Sequence, residues 1–236
     1  MRSLIIKWSL VIFCNLAVIE GLFFAAWKFQ LIPIAAPSYS IRNVYSRFLI
    51  HDPVIGVWHE PNTVFRHNKT CFDVTYTTNS VGARDVERTR RTSTDRILLL
   101  GDSFIEGWGV EEKSRLSNLL EKRLDLEVLN FGASGHFGPT QYYLLYESLA
   151  KDFDHSTVMI GILPDNDFLD DDLNYAKKGL YKKNYRPYFN GEDNRLVYLN
   201  PDLRNQVESP GDTAARFLQE FTFSYRQYRS IARQFS

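Results

Sequence analysis

Three short segments of the chain carry residues of the type and order that acyl transfer from a serine requires. The first is Leu98-Leu99-Leu100 running into Gly101-Asp102-Ser103-Phe104, where an apolar strand stops at a small, sharp turn that can present the Ser103 hydroxyl at a sheet edge. The second is Val128 to Phe131, followed by the glycine-rich turn Gly132-Ala133-Ser134-Gly135-His136. The third is Val158 to Leu163, followed by Pro164-Asp165-Asn166-Asp167. Each alone is a common way to end a strand. Together they supply a nucleophile, Ser103, and three oxyanion donors: the backbone N–H groups of Ser103 and Gly135 and the side-chain amide of Asn166. Removing one such donor typically costs about 2.7–4 kcal/mol of transition-state stabilisation. Asp102 is expected to support the turn by local hydrogen bonding rather than to orient a base, because adjacent residues on a tight turn cannot readily serve one another through a third group.

The elements that must position these residues follow from the apolar pattern. Ile97 to Leu100 is a continuous apolar run, as expected for a strand covered on both faces. Leu116, Leu119, Leu120 and Leu124 mark a helix by their spacing, and Tyr142, Leu145, Tyr146 and Leu149 mark another. Strand, helix, strand, helix, strand implies parallel pairing with right-handed crossovers, hence an α/β, doubly wound parallel sheet. In such a sheet the ligand crevice lies outside the carboxyl ends of the strands, where the three turns converge. Before this region, Val54 to Trp58, Thr63 to Arg66 and Phe72 to Thr77 read as a short β-rich lead-in, with a brief amphipathic helix expected within Ser38 to Leu49. After it, Tyr185 to Leu199 suggests a hairpin about Asn190-Gly191-Glu192-Asp193, and Ala214 to Ile231 reads as one long amphipathic helix. A three-stranded sheet is small against the usual size of about five, so the sheet is expected to be incomplete at the C-terminus.

A serine also needs a base beside it. His136 lies on the correct edge and is the candidate; the alternative is a loop histidine bonded to backbone or water. Asp152-Phe153-Asp154-His155 has the spelling of an acid–base pair but precedes the third strand, which puts it on the order of 20 Å from Ser103. His51, His59 and His67 lack metal-ligand spacing and receive no role. The acidic run from Asp165 to Asp172 lacks the glycine and glutamate spacing of a calcium loop, so it is read as solvated or helix-starting. No metal and no cofactor are expected.

Composition bounds the remaining choices. The chain has 236 residues, with Lys+Arg and Asp+Glu balanced at 28 each. Nucleic-acid binding loses its usual electrostatic footprint. The cluster Arg84, Arg88, Arg90 and Arg91, beside Asp85 and Glu87, reads as a solvated linker. Arg2 and Lys7 precede Trp8 to Trp27, a stretch of about 20 mostly apolar residues, the length a helix needs to cross a bilayer. Asn15 and Glu20 interrupt it, and a central acidic group costs about 2.5–3.5 kcal/mol. Glu20 must therefore enter protonated or pair with a partner. Ala25-Ala26-Trp27 fits a cleavage site poorly, so an uncleaved signal anchor is preferred to a cleaved signal peptide. The basic flank leaves the N-terminus in the cytoplasm and exports the main domain of a single-pass protein. Cys14 lies in the apolar segment and Cys71 outside it, so they form no disulfide framework. The expected division is 1–28 anchor, 29–50 connector, 51–95 lead-in and 96–236 α/β domain.

The blocks Gly101-Asp102-Ser103, Asn130 to Gly135, and Asn166-Asp167, in that order after three strands, resemble the first three sequence blocks of the SGNH (GDSL-type) hydrolases. The resemblance covers roughly Arg96 to Asp172, and Asn79 to Asp85 resembles the lead-in of membrane-anchored bacterial members. It implies a flavodoxin-like sheet and hydrolysis of a carboxylic ester, often an acetyl or other acyl group on a carbohydrate or lipid. Two departures stand out. Pro164 replaces the usual glycine of the third block, fixing φ and removing an N–H. The family's last block, Asp-x-x-His, has no counterpart after Asn166, which implies a truncated chain or a damaged copy. Three readings follow: a serine esterase or deacylase at the cell envelope, an O-acyltransferase acting on an envelope polysaccharide with the same serine, and a non-catalytic envelope binding protein of the same fold.

Overall fold

The computed structural model describes residues 2–135, 137–178, 185–191, 193, 195–202 and 209–232. They fall into two compact units. One comprises Ser46–Phe65 and Val74–Val207, the other Met1–Tyr45, Arg66–Asp73 and Glu208–Ser236.

The first unit is built on three parallel strands, β5 (Arg96–Gly101), β6 (Glu127–Gly132) and β7 (Thr157–Gly161), in the order β6-β5-β7. The four apolar residues of β5 are buried because both faces are covered. Leu98 and Leu100 join Leu129 and Phe131 in a core with Tyr142 and Leu145 of helix α5 (Pro139–Ser148). Ile97 and Leu99 point the other way, into a second core with Val128, Ile105 and Leu120 of helix α4 (Leu116–Leu124). Period-two alternation thus divides one apolar run between two faces. The unit is mixed α/β with a parallel sheet. β7 is an edge strand, and its Val158, Met159 and Ile160 are exposed although the run is as apolar as β5.

Two further pairs flank this sheet. β1 (Leu49–Asp52) and β2 (Gly56–His59) form an antiparallel hairpin. The brief helix expected within Ser38 to Leu49 is α2 (Ile41–Tyr45), while the strand expected from Val54 begins at Gly56 and is preceded by β1, which the sequence reading did not foresee. Asp52 Oδ1 accepts the N–H groups of Val54 and Ile55, at 2.8 and 2.9 Å, and so turns the chain where the strand was expected to begin. β8 (Arg186–Phe189) and β9 (Leu196–Leu199) pair antiparallel about Asn190-Gly191. Strands β3 (Val64–Asn68) and β4 (Asp73–Thr77) form a separate two-stranded sheet.

The second unit holds helix α1 (Arg2–Lys28), which is long and apolar enough to cross a membrane. With it are α2 (Ile41–Tyr45), α8 (Pro210–Phe221) and α9 (Phe223–Ala232). The single long C-terminal helix expected from the sequence is two. Thr222 adopts an extended backbone, and its hydroxyl bonds back to Leu218 O at 2.7 Å, ending α8. The new N-terminus is capped by the one acidic residue inside the apolar segment. Glu20 accepts the backbone N–H of Phe223 through Oε1, and the N–H and hydroxyl of Ser224 through Oε2 at 3.2 and 2.7 Å. The carboxylate that looked costly in a membrane helix therefore has its partner in α9.

Candidate functional site

Ser103 opens a single-turn helix, α3 (Ser103–Glu106), directly after β5. Asp102 caps it, its Oδ1 accepting the Phe104 N–H at 2.9 Å. The helix can sit on the strand ends because the sheet register aligns three glycines beneath it: Gly101 opposite Gly132 on one side and Gly161 on the other. A Cβ on Gly132 would lie 2.6 Å from the Ile105 carbonyl carbon, and one on Gly161 would lie 2.6 Å from Ile105 Cδ1. This glycine tier is the floor on which the serine turn rests.

The far end of α3 is held from the lead-in. Gly107, in the left-handed region at φ 82°, closes the turn with its N–H on Ser103 O at 3.0 Å. Arg84 donates to the carbonyls of Glu106, Gly107 and Val110 at 2.9, 2.5 and 2.6 Å. Its guanidinium stacks 3.4 Å from the Tyr76 ring centre, and the Tyr76 hydroxyl accepts the Gly109 N–H at 2.6 Å. Burial pushes Arg84 down to about 10, which leaves it charged at neutral pH. This corrects the reading of Arg84 to Arg91 as a solvated linker. Arg84 and Asp85 are buried, and Arg88 bridges Asp85 and Glu121 at 3.1 and 2.8 Å; Arg90 and Arg91 remain on the surface. Asn130 completes the support, donating to Ile105 O at 2.9 Å and accepting the Gly132 N–H at 2.9 Å.

Glu106 couples α3 to the second turn. Its fully buried carboxylate accepts the backbone N–H of Ser134, the residue before Gly135. His59 Nε2 lies 3.8 Å away, and His59 Nδ1 donates to Gly82 O at 2.9 Å. Burial alone would raise the Glu106 pKa, but His59 and Ser134 outweigh it and hold the carboxyl below its ordinary value. The third turn is fixed by Asp167, whose Oδ2 accepts the Leu163 N–H and the Tyr142 hydroxyl, both at 2.9 Å. Asp167 to Asp170 forms helix α6, ahead of α7 (Leu173–Lys178), and both terminal aspartates of α6 are buried, so this part of the acidic run starts a helix and is not solvated. Asn166 donates one amide hydrogen to Asp170 Oδ2 at 3.1 Å. No second partner of this amide occurs among the described residues.

The three turns open on one cavity of about 350 Å³, lined by Leu49, Asp102, Ser103, Trp108, Ser134, Gly135, Phe137 and Asn166. Ser103, Gly135 and Asn166 are brought together there. Among the described residues the Ser103 hydroxyl has no hydrogen-bond partner, and neither do the buried atoms Asp102 Oδ2, Ser134 Oγ, Asn166 Oδ1 and Asp167 Oδ1. Buried polar atoms are ordinarily paired, and three of these unpaired ones, Asp102 Oδ2, Ser134 Oγ and Asn166 Oδ1, belong to residues that line the cavity. Burial, with the charges of Asp167 and Asp170, raises the Asp102 pKa.

The histidines divide clearly. His136 lies outside the described residues. His155 precedes β7, at the amino ends of the strands, with its ring nitrogens on Tyr146 Oη at 3.3 Å and Phe153 O at 2.6 Å. His59 is buried in the Glu106 network. No group of three His, Cys, Asp or Glu among the described residues is placed to hold a metal. Sequence reasoning missed Arg84, Glu106, His59 and Gly161, and it noted Gly132 only as part of a glycine-rich turn. The alignment of strand-end glycines at Gly101, Gly132 and Gly161 was the available signal for the two glycines. No protein-family model matches the chain, and no curated protein matches it in sequence.

Proposed function

We propose that the chain carries an SGNH-type serine site on a flavodoxin-like, doubly wound sheet, and that it cleaves a carboxylic ester of a carbohydrate or lipid at the outer face of a membrane. The observation that carries this reading is the shared cavity of Ser103, Gly135 and Asn166 at the carboxyl ends of three parallel strands. Ser103 Oγ attacks the ester carbonyl, and the developing oxyanion takes hydrogen bonds from the Ser103 and Gly135 N–H groups and the Asn166 amide. Collapse expels the alcohol and leaves an acyl-serine. Water then releases the acid; an acceptor hydroxyl in its place would make the reaction a transfer. His136, next to Gly135, is the candidate for the proton relay.

A second reading has its own support. The cavity, with the buried unpaired atoms Ser134 Oγ and Asn166 Oδ1 on residues that line it, also suits a non-catalytic envelope protein that binds a glycan or a partner. Turnover of an acetyl ester by the full chain and by Ser103→Ala separates the two. Loss of activity in the variant supports the serine site. Equal activity in both refutes it.

A further inference from the structure

The second unit exposes more apolar surface than its fold requires. On α8, Phe217 and Leu218 are 46% and 42% exposed; on α9, Tyr228 and Ile231 are 63% and 45% exposed. Phe217 stacks on Phe221 with ring centres 4.7 Å apart, and Tyr225 lies against Tyr228 at 5.8 Å. Such patches on a soluble surface mark a binding face. What covers this one is indicated by its attachment to α1. Phe223 packs on Phe24 and Trp27 at 5.5 and 5.1 Å, and Glu20 caps α9 through Phe223 and Ser224.

The depth of that attachment can be worked out. Residues Leu4 to Ile19 of α1 are exposed throughout, whereas Glu20, Ala25, Ala26 and Trp27 are half-buried against the unit. At 1.5 Å per residue the exposed part measures about 24 Å, short of the roughly 30 Å of a hydrocarbon core. If the span runs from Trp8 to Trp27, the α9 N-terminus bonded to Glu20 lies about 10 Å below the level of Trp27. Interfacial helices seat their apolar faces about 5–10 Å into the headgroup and acyl boundary. The two depths agree. Tyrosine and tryptophan are the residues that favour this boundary, and the exposed Arg229 and Lys28 can extend their charges to headgroups.

We propose that α8 and α9 are a membrane-interface seat, with the lipid headgroup and acyl boundary covering Phe217, Tyr228 and Ile231. The seat rests on α1 spanning the bilayer and is independent of any chemistry at Ser103. Glu20 is then a docking residue: its carboxylate fixes an interfacial helix to the transmembrane one, and that contact satisfies the acid where water is scarce.

The test uses the full chain in phosphatidylcholine–phosphatidylglycerol vesicles. Cys14 and Cys71 are replaced by serine, and single cysteines at Tyr228 or Ile231 carry an environment-sensitive fluorophore; a third sample keeps Cys14 alone. Lipids with a nitroxide at acyl carbon 5 are expected to quench the labels at 228 and 231 at least twofold, more than lipids with the nitroxide at carbon 12. Cys14 should show the opposite preference. Quenching of 228 and 231 by aqueous iodide instead overturns the seat, and protection from every quencher overturns it in favour of a protein partner or second copy. Failure of carbon-12 nitroxide to reach Cys14 refutes the span itself, a distinct result.

Discussion

Gly132→Ala tests the glycine tier beneath the serine turn. Its backbone is not in the left-handed region, so alanine is allowed at the backbone level and the effect is steric. The new methyl would lie 2.6 Å from the Ile105 carbonyl carbon and nearer still to Glu106 N. Both are backbone atoms of α3, which must rise by close to 1 Å to restore an ordinary carbon contact. Overpacking of this kind costs about 1–3 kcal/mol, or about 2–12 °C in Tm for a chain of this size. A shift near 1 Å at a reacting serine costs about 100-fold in rate. Thermal unfolding in detergent gives the first number, and ester turnover or serine labelling gives the second. Gly191→Ala is the control, because nothing lies within 4 Å of a Cβ there, and it should change Tm by less than the scatter between preparations. If Gly132→Ala behaves like Gly191→Ala, α3 is not seated on the strand ends as described.

Arg84→Ala strands three carbonyls that now share one guanidinium, and at about 1–3 kcal/mol per unmet buried acceptor it should lower Tm by more than Gly132→Ala. Tyr142→Phe removes one donor from buried Asp167 and should cost about 1–3 kcal/mol, read as a lower Tm with unchanged secondary structure by circular dichroism. Glu106 has a depressed pKa, so its contribution is complete above the ordinary glutamate value of 4.5 and is lost as pH falls through the lower folded value. Glu106→Gln, whose carbonyl can still accept the Ser134 N–H, should therefore flatten the acid limb of a Tm-against-pH curve below about pH 4.5. An acid limb identical to the parent's would show that Glu106 is not the group responsible.

Much of the sheet unit was legible because its signals are local. Ile97 to Leu100 is apolar at every position, and the spacing at Leu116 to Leu124 admits only a helix. The order of Ser103, Gly135 and Asn166 after three strands likewise follows from chain direction, since parallel strands bring their following turns to one edge. What escaped depends on distant partners. Arg84 looks like any surface arginine until the carbonyls of Glu106, Gly107 and Val110 are brought to it. Glu106 reads as a helix-surface acid, because neither Ser134 nor His59 is near it in sequence. The break at Thr222 was hidden by an apolar rhythm that continues across it, and the cap that starts α9 comes from Glu20, 203 residues away.

The central claim is that Ser103 is a nucleophile facing preformed oxyanion donors. The most direct measurement is mass spectrometry of the full chain after reaction with a fluorophosphonate ester, alongside Ser103→Ala and Asn166→Ala. The account predicts a single adduct on the peptide containing Ser103, absent from Ser103→Ala and formed about 100-fold or more slowly in Asn166→Ala, the loss expected for one oxyanion donor. An adduct on another residue, or none in the parent chain, would contradict it.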